Sequence, residues 1–186
     1  IFQAPMSNVY RLDHHLWLVT TGLAGDSRAL ANHLRSNSRQ HRLDYGERMS
    51  VNECATTGAD LHHKLTYTEG TRPMGCAALV LGLDNNNELR IFRIDSGGGL
   101  KDSWFAAMGN GSEKAMSSLN KEYDKMKQSV ESTVAGMIKI SGKESKEHCI
   151  WVLRPILQTR GEVKMSCFQN TRTNKSARMI SKQLEE

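Results

Sequence analysis

Met74-Gly75-Cys76-Ala77-Ala78-Leu79-Val80-Leu81-Gly82-Leu83 is a nearly unbroken apolar run, and Asp84-Asn85-Asn86-Asn87 follows it directly. Apolar side chains at successive positions read as a strand covered on both faces. The Asp/Asn cluster tolerates left-handed backbone and turns the chain. Leu89 to Asp95 then supplies the returning strand. A turn this short can join only antiparallel neighbours. The rest of the chain is read outward from this hairpin.

Downstream, Ser96-Gly97-Gly98-Gly99 bends into a further strand expected around Trp104 to Met108. A helix is predicted from Ser112 to Met126, with Ala115, Met116, Leu119, Tyr123 and Met126 inward at helical spacing. Another follows almost at once, carrying Val130, Val134, Met137 and Ile138. Cys149 to Leu153 and Val163 to Phe168 form a last strand pair, and Lys175 to Leu184 a final helix capped by Asn174.

Upstream, Val9 to Asp13 and Leu16 to Thr21 read as two strands joined at Asp13-His14-His15. Gly22 to Asp26 hands over to a helix from Ser27 to Arg42, with Leu30, Ala31, Leu34, Ser38 and His41 on one face. Arg28, Arg35, Arg39 and Arg42 recur on one narrow side, expected opposite that face. Ser50-Val51-Asn52-Glu53 is a capping box. It opens a second helix whose buried side is Val51, Cys54, Ala55, Gly58, Leu61, His62 and Leu65. The order is strand pair, helix pair, three strands, helix pair, strand pair, helix. Paired helices between antiparallel strands must lie on sheet faces, so the class is α+β, with sheets between helical layers. A Rossmann sheet is excluded, because it alternates single helices with parallel strands.

The chain has 186 residues, of which 38% are hydrophobic and 24% charged. That length buries enough surface to form one domain, residues 1–186, without disulfides or metal, and the charge is too balanced for disorder. No stretch reaches the ~20 apolar residues of a membrane span. The opening Ile1-Phe2-Gln3-Ala4-Pro5 lacks the pattern of a signal peptide. Cys54, Cys76, Cys149 and Cys167 form no C-x-x-C pair and read as reduced, mostly buried thiols of a cytosolic protein. Net charge is +5, which permits an acidic partner without demanding one.

His14-His15 and His62-His63 invite a metal reading. Adjacent residues point apart on a strand or a helix, however, so neither pair converges on one ion and no metal or cofactor is expected. His62 lies mid-face on its helix and reads as a hydrogen-bonded core histidine. Gly109-Asn110-Gly111-Ser112 resembles an anion-binding helix start but lacks the lysine and spacing of a P-loop, so a plain turn is the better reading. The arginines at 28, 35, 39 and 42 would suit phosphates or a carboxylate-lined protein surface; a solvated helix face is the plainer alternative. Nucleic acid is disfavoured by the 6% aromatic content and the lack of any nucleic-acid-binding motif. No G-x-S-x-G or H-E-x-x-H is present.

Thr21-Gly22-Leu23-Ala24-Gly25-Asp26-Ser27-Arg28 resembles the S-G-L-x-A-D-A/S-R segment that starts the first helix of 20S proteasome subunits. Tyr67-Thr68-Glu69-Gly70-Thr71-Arg72-Pro73-Met74-Gly75 resembles the Y-T-x-x-x-x-R-P-x-G stretch of the α-type subunits. Arg42 to Glu47 suits the inter-helix loop of that family, and Ala107-Met108-Gly109-Asn110-Gly111 its A-I-G-x-G/N turn. Together these stretches keep the family's order and spacing from Asn8 to Pro155. Where α-type chains have D-P-x-G this one has Asp95-Ser96-Gly97-Gly98, so a looser turn is expected there.

The resemblance implies the N-terminal nucleophile hydrolase fold, a four-layer α-β-β-α sandwich of two antiparallel sheets. Relative to that fold the chain lacks a first helix and two strands before Ile1. Either it begins inside the domain or it is a truncated relative completed by a partner. The resemblance further implies a non-catalytic α-type subunit of the proteasome core in cytoplasm and nucleus, acting in ubiquitin-dependent protein catabolism. Its partners would be other α-type and β-type subunits and regulatory particles or activators. Catalysis in this fold needs a nucleophile at residue 1, whose own amino group is the base; Ile1 offers none. Alternatives are a β-type threonine peptidase missing its N-terminus, or a proteasome-like domain recruited into another assembly, touching RNA through the arginines.

In α-type subunits a lysine before the third strand lines the pocket that receives a regulator's C-terminal carboxylate. Gap-free alignment puts Asn8 at that position, with Gly22 and Leu23 on the pocket wall; a slipped register with Arg11 supplying the charge is the alternative. Tyr67, Arg72, Pro73 and the four arginines are the candidate subunit contacts.

Overall fold

The computed structural model describes residues 8–126, 128–141, 149–155 and 163–169. The expected helix at 175–184 and its Asn174 cap lie outside these. Eleven elements follow in order: β1 (Val9–Arg11), β2 (Leu16–Gly22), α1 (Ala24–Tyr45), α2 (Val51–Tyr67), β3 (Cys76–Leu83), β4 (Leu89–Ile94), β5 (Leu100–Asp102), α3 (Ser112–Met126), α4 (Val130–Ser141), β6 (Cys149–Pro155) and β7 (Val163–Gln169). The architecture is mixed α+β.

The described residues divide into two compact units, one of residues 8–109 with Pro155 and Val163, the other of residues 110–154 and 164–169. In the first, β1 to β5 form one sheet in sequence order, antiparallel throughout. The central hairpin turns as read: Asn87 takes φ of 61°, and the Asp84 and Asn87 amides bond back across the turn. Helix α1 packs on β2 and β3, and α2 on β3, β4 and β5.

Residues pair across the sheet as Leu18–Val80–Phe92 on one face and Trp17–Leu81–Ile91 on the other. The first set belongs to the core together with Leu30, Leu34, Val51, Cys54 and Ala55 from the helices. Alternate β3 residues Ala77, Leu79 and Leu81 are only half-buried. Helices α1 and α2 cover one face fully, and the other face is partly covered among the described residues.

Helix α2 begins as read. Ser50 Oγ accepts the Glu53 amide at 3.1 Å while the Glu53 carboxylate accepts the Ser50 amide at 2.9 Å. Its buried side is Val51, Cys54, Ala55, Gly58, Ala59 and His62, with Leu61 and Leu65 packed at the margin. Helix α1 is longer than read at both ends. It starts at Ala24, where Leu23 provides no side-chain cap, and ends at a left-handed Gly46. With no capping residue before Ala24, the sequence carries no start signal to find.

The strand expected at Trp104 to Met108 is another correction. Asp95 and Gly99 close a tight turn, Gly98 takes φ of 88°, and β5 begins at once at Leu100. Its residues are all exposed, so this edge strand has no hydrophobic alternation by which to be recognised. The turn is not loose. Its Asp95 carbonyl accepts the Gly98 amide at 3.0 Å and the His62 ring N–H at 2.8 Å.

In the second unit α3 and α4 pack together, with Leu119, Met126 and Val134 buried. Gly136 lets α4 approach Met126, whose side chain would meet an added Cβ at 2.8 Å. Val130 and Met137 are exposed. β6 and β7 form a two-stranded sheet. Among the described residues no helix is long and apolar enough to cross a membrane.

Candidate functional site

The first candidate region is one end of the β1–β2 hairpin. The Asn8 carbonyl accepts the Thr20 amide at 2.9 Å, which continues the Val9–Val19 register and sets Asn8 beside the end of β2. Gly22 closes β2 with φ of 119°, and a Cβ there would stand 2.2 Å from the Gly75 carbonyl oxygen. Only glycine permits both the dihedral and the approach. Leu23 donates its amide to that same carbonyl at 2.9 Å, and its side chain is exposed. Asn8, Gly22 and Leu23 thus gather at one edge.

Arg11 sits at the other end of β1. Its guanidinium donates to the Asp13 carbonyl at 3.2 Å, meets His14 Nδ1 at 2.9 Å and lies over the Trp17 ring. Arg11 is thus engaged at the far bend from Asn8.

The two segments that carry the family resemblance meet in space. Asp26, in the first turn of α1, accepts both Arg72 Nη1 and Nη2 at 2.8 and 2.9 Å, and the Gly75 amide at 2.8 Å. The Arg72 hydrogen bonds, then the Gly75 N–H, hold the Asp26 carboxyl down to about 2. Arg72 also donates to the Pro73 carbonyl at 3.0 Å. Tyr67 ends α2 with an exposed ring edge-on to His63. Of the contact candidates in this segment, Arg72 has an internal partner, while Tyr67 and Pro73 face outward.

The arginine side of α1 is displaced from its expected place. Arg28, Arg35 and Arg42 are three- or four-residue neighbours of the buried Ala31 and Ser38, so the stripe flanks the buried face rather than opposing it. That position lets it reach the β1–β2 bend. Arg42 Nη2 donates to Asp13 Oδ2 at 2.5 Å, and Ser38 Oγ donates to the same oxygen at 3.1 Å. Arg35 donates twice to the Arg11 carbonyl, at 3.2 and 2.9 Å. Arg39 has no partner among the described residues. These arginines wall a cleft of about 620 Å³ against Leu12, Asp13 and Leu43. Burial pushes the Asp13 carboxyl up, but the His14 amide, the Arg42 cation, His15 and the Ser38 hydroxyl more than offset it, leaving it below the usual carboxylate range.

His62 is fully buried, as a core histidine should be, and donates Nδ1–H to the Asp95 carbonyl. His15, also buried, donates Nε2–H to the Met49 carbonyl at 2.8 Å; burial above all pushes its pKa down. Among the described residues no group of three or more His, Cys, Asp or Glu is placed to hold a metal. Cys54 and Cys76 are free and buried, and burial lifts the Cys54 thiol to about 12.

Sequence reasoning missed the two carboxylates that organise these regions. Asp26 was visible only as part of a motif, and Asp13 only as a turn residue. Asp13 offered only an acidic turn residue near an arginine-rich helix, and Asp26 only an acidic residue in a helix's first turn, both too common to single out.

Comparison with known proteins narrows the reading. A family model described as "Proteasome subunit" matches residues 2–146. Proteasome subunit alpha of Methanocaldococcus jannaschii is 34% identical over 118 residues, covering 63% of this chain and 45% of that protein. Its counterpart in Methanococcus vannielii is 32% identical over 121 residues, 65% and 46% of the two chains. The one in Methanopyrus kandleri is 29% identical over 143 residues, 75% and 58%. The chain thus spans about half the length of the curated relatives it matches.

Proposed function

Because the chain belongs to the proteasome subunit family, we propose that it is a non-catalytic α-type subunit of the 20S core particle, a member of the outer ring that gates substrate entry and docks regulators. The observation that carries this reading is the joined signature. The α-type Arg72-Pro73-x-Gly75 segment is present and anchored on Asp26, and the relatives described above are named as alpha subunits. On this reading the fold is the four-layer sandwich of two antiparallel sheets in a single domain. The partners are other α-type and β-type subunits and regulatory particles, and the protein works in cytoplasm and nucleus. Asn8, with Gly22 and Leu23, would line the docking pocket, and Tyr67, Pro73 and the exposed arginines would meet neighbours.

The test of the assembly is gel filtration of native extract, in which the chain should elute only with a large complex. A stable monomer of 20.8 kDa would refute it. The pocket has its own test. Asparagine offers a neutral hydrogen bond where lysine would offer a charge-assisted one, roughly twice as strong. Asn8→Lys should therefore tighten binding of a regulator's tail peptide to assembled particles by on the order of 1 kcal/mol. Equal affinity removes Asn8 from the site.

A further inference from the structure

The cleft between α1 and the β1–β2 bend is lined by four guanidinium groups, Arg11, Arg35, Arg39 and Arg42, and by one carboxylate, Asp13. Asp13 is already saturated, holding Arg42, Ser38 and the His14 amide. Arg35 and Arg11 are positioned by backbone carbonyls, which orient a guanidinium without cancelling its charge. Arg39 completes the row, one helical turn from both Arg35 and Arg42, and has no partner among the described residues. The cleft is therefore a fixed excess of positive charge with one uncommitted cation at its centre.

Its outer wall is apolar. Leu43 lines the cleft with 80% of its surface exposed, and Tyr45, close by at the end of α1, is 72% exposed. A small inorganic anion would use the charge and leave Leu43 in water. A segment that alternates carboxylates with an aliphatic side chain would use both, since aligned guanidinium groups bind carboxylates through paired hydrogen bonds and burying an exposed leucine is favourable.

We propose that this cleft docks an acidic peptide segment of a partner protein, with its carboxylates on Arg39 and Arg35 and an aliphatic side chain against Leu43. That the partner is a fellow subunit rests on the assembly reading above; the binding chemistry does not.

The experiment uses the full chain and a fluorescein-labelled octapeptide alternating glutamate with leucine. The peptide should bind saturably and lose affinity as salt screens the charges. Arg39→Glu, at an exposed side chain with no internal bond to break, should weaken it by roughly tenfold or more. Arg28→Glu, on the same helix outside the cleft, should leave affinity unchanged. Equal binding by all three forms, or no saturable binding, would overturn the proposal. So would pyrophosphate or a single-stranded oligouridine binding to the Arg39 site where the peptide does not. Because the assay needs no particle, it can succeed while the assembly reading fails, and the reverse.

Discussion

The same substitution should stabilise at one helical glycine and fail to stabilise at another. Gly58 sits on the buried side of α2, where an added Cβ would stand 2.8 Å from Ile94 Cδ1 and 3.6 Å from both Leu34 methyl groups. The Leu34 distances are ordinary contacts. The Ile94 distance is far inside the roughly 3.5–4.0 Å of a carbon–carbon minimum, and Ile94 is fully buried, so its side chain must leave its rotamer. Such overpacking costs about 1–3 kcal/mol. Replacing glycine by alanine inside a helix returns about 1 kcal/mol. Gly58→Ala should thus be neutral to destabilising, by up to about 2 kcal/mol. Gly25, in the first turn of α1, has nothing within 4 Å of an added Cβ, and Gly25→Ala should stabilise by up to about 0.5 kcal/mol. Urea unfolding of the full chain followed by circular dichroism measures both. The stricter check is the pair Gly58→Ala with Ile94→Val, which deletes the clashing methyl. The two changes should fail to add, the alanine costing less in the valine background by about 1 kcal/mol. Additive effects, or a Gly58→Ala as stabilising as Gly25→Ala, would refute the packing argument.

Removing the Asp26 carboxylate should loosen the start of β3. In Asp26→Ala the Gly75 amide should exchange with solvent faster than in the parent, and unchanged protection would show that Asp26 holds nothing. The Asp26 carboxyl sits at about 2 in the folded chain against an ordinary value near 3.9. Its contribution is therefore complete above the ordinary value and lost only as pH falls through about 2. His15 acts nearer neutrality. Its folded pKa is depressed, so the unfolded chain binds more protons below about pH 6.5, and stability should fall as pH drops below that point. His15→Gln should flatten the urea-midpoint slope between pH 5 and 6.5, whereas an unchanged slope would assign it to other groups.

The parts of this fold that were legible in the sequence are those where one local rule decides. Ser50 and Glu53 make their reciprocal bonds through local geometry alone, so the start of α2 was legible to the residue. The Asp84 to Asn87 cluster turns because those residues accept left-handed backbone, and Asn87 does. What escaped depended on distant contacts. The start of α1 is fixed by Leu23 and Asp26 reaching Gly75, which no window of sequence contains. β5 is an exposed edge strand recruited by its neighbour rather than by its own pattern. The arginines were seen as a stripe, but the direction it faces depended on Asp13, which lies 29 residues from Arg42.

The segments that made the family recognisable are explained largely by one close approach. Residues 46 apart in sequence, Asp26 and Arg72, lock together. Gly22 is small because the Gly75 carbonyl lies 2.2 Å from where its Cβ would be, and an added Cβ at Gly75 would push aside the exposed Leu23 side chain, 2.6 Å away. Each of these residues therefore has a structural reason to be what it is, independent of any partner. A docking role cannot be tested at Gly22, since any larger side chain would push the β2 end away from Gly75 and damage the hairpin whether or not anything binds there. It must be tested where a side chain can change without disturbing that close approach. Leu23 offers only an exposed apolar surface, common to many neighbours a regulator tail could touch. Asn8 contributes its carbonyl to the sheet through the Thr20 amide, a bond that survives any side-chain replacement. Substitution at Asn8 therefore leaves that sheet bond in place, and the affinity of a tail peptide for the Asn8→Lys particle, compared with the parent at matched urea midpoints, decides whether this edge of the hairpin is a binding site.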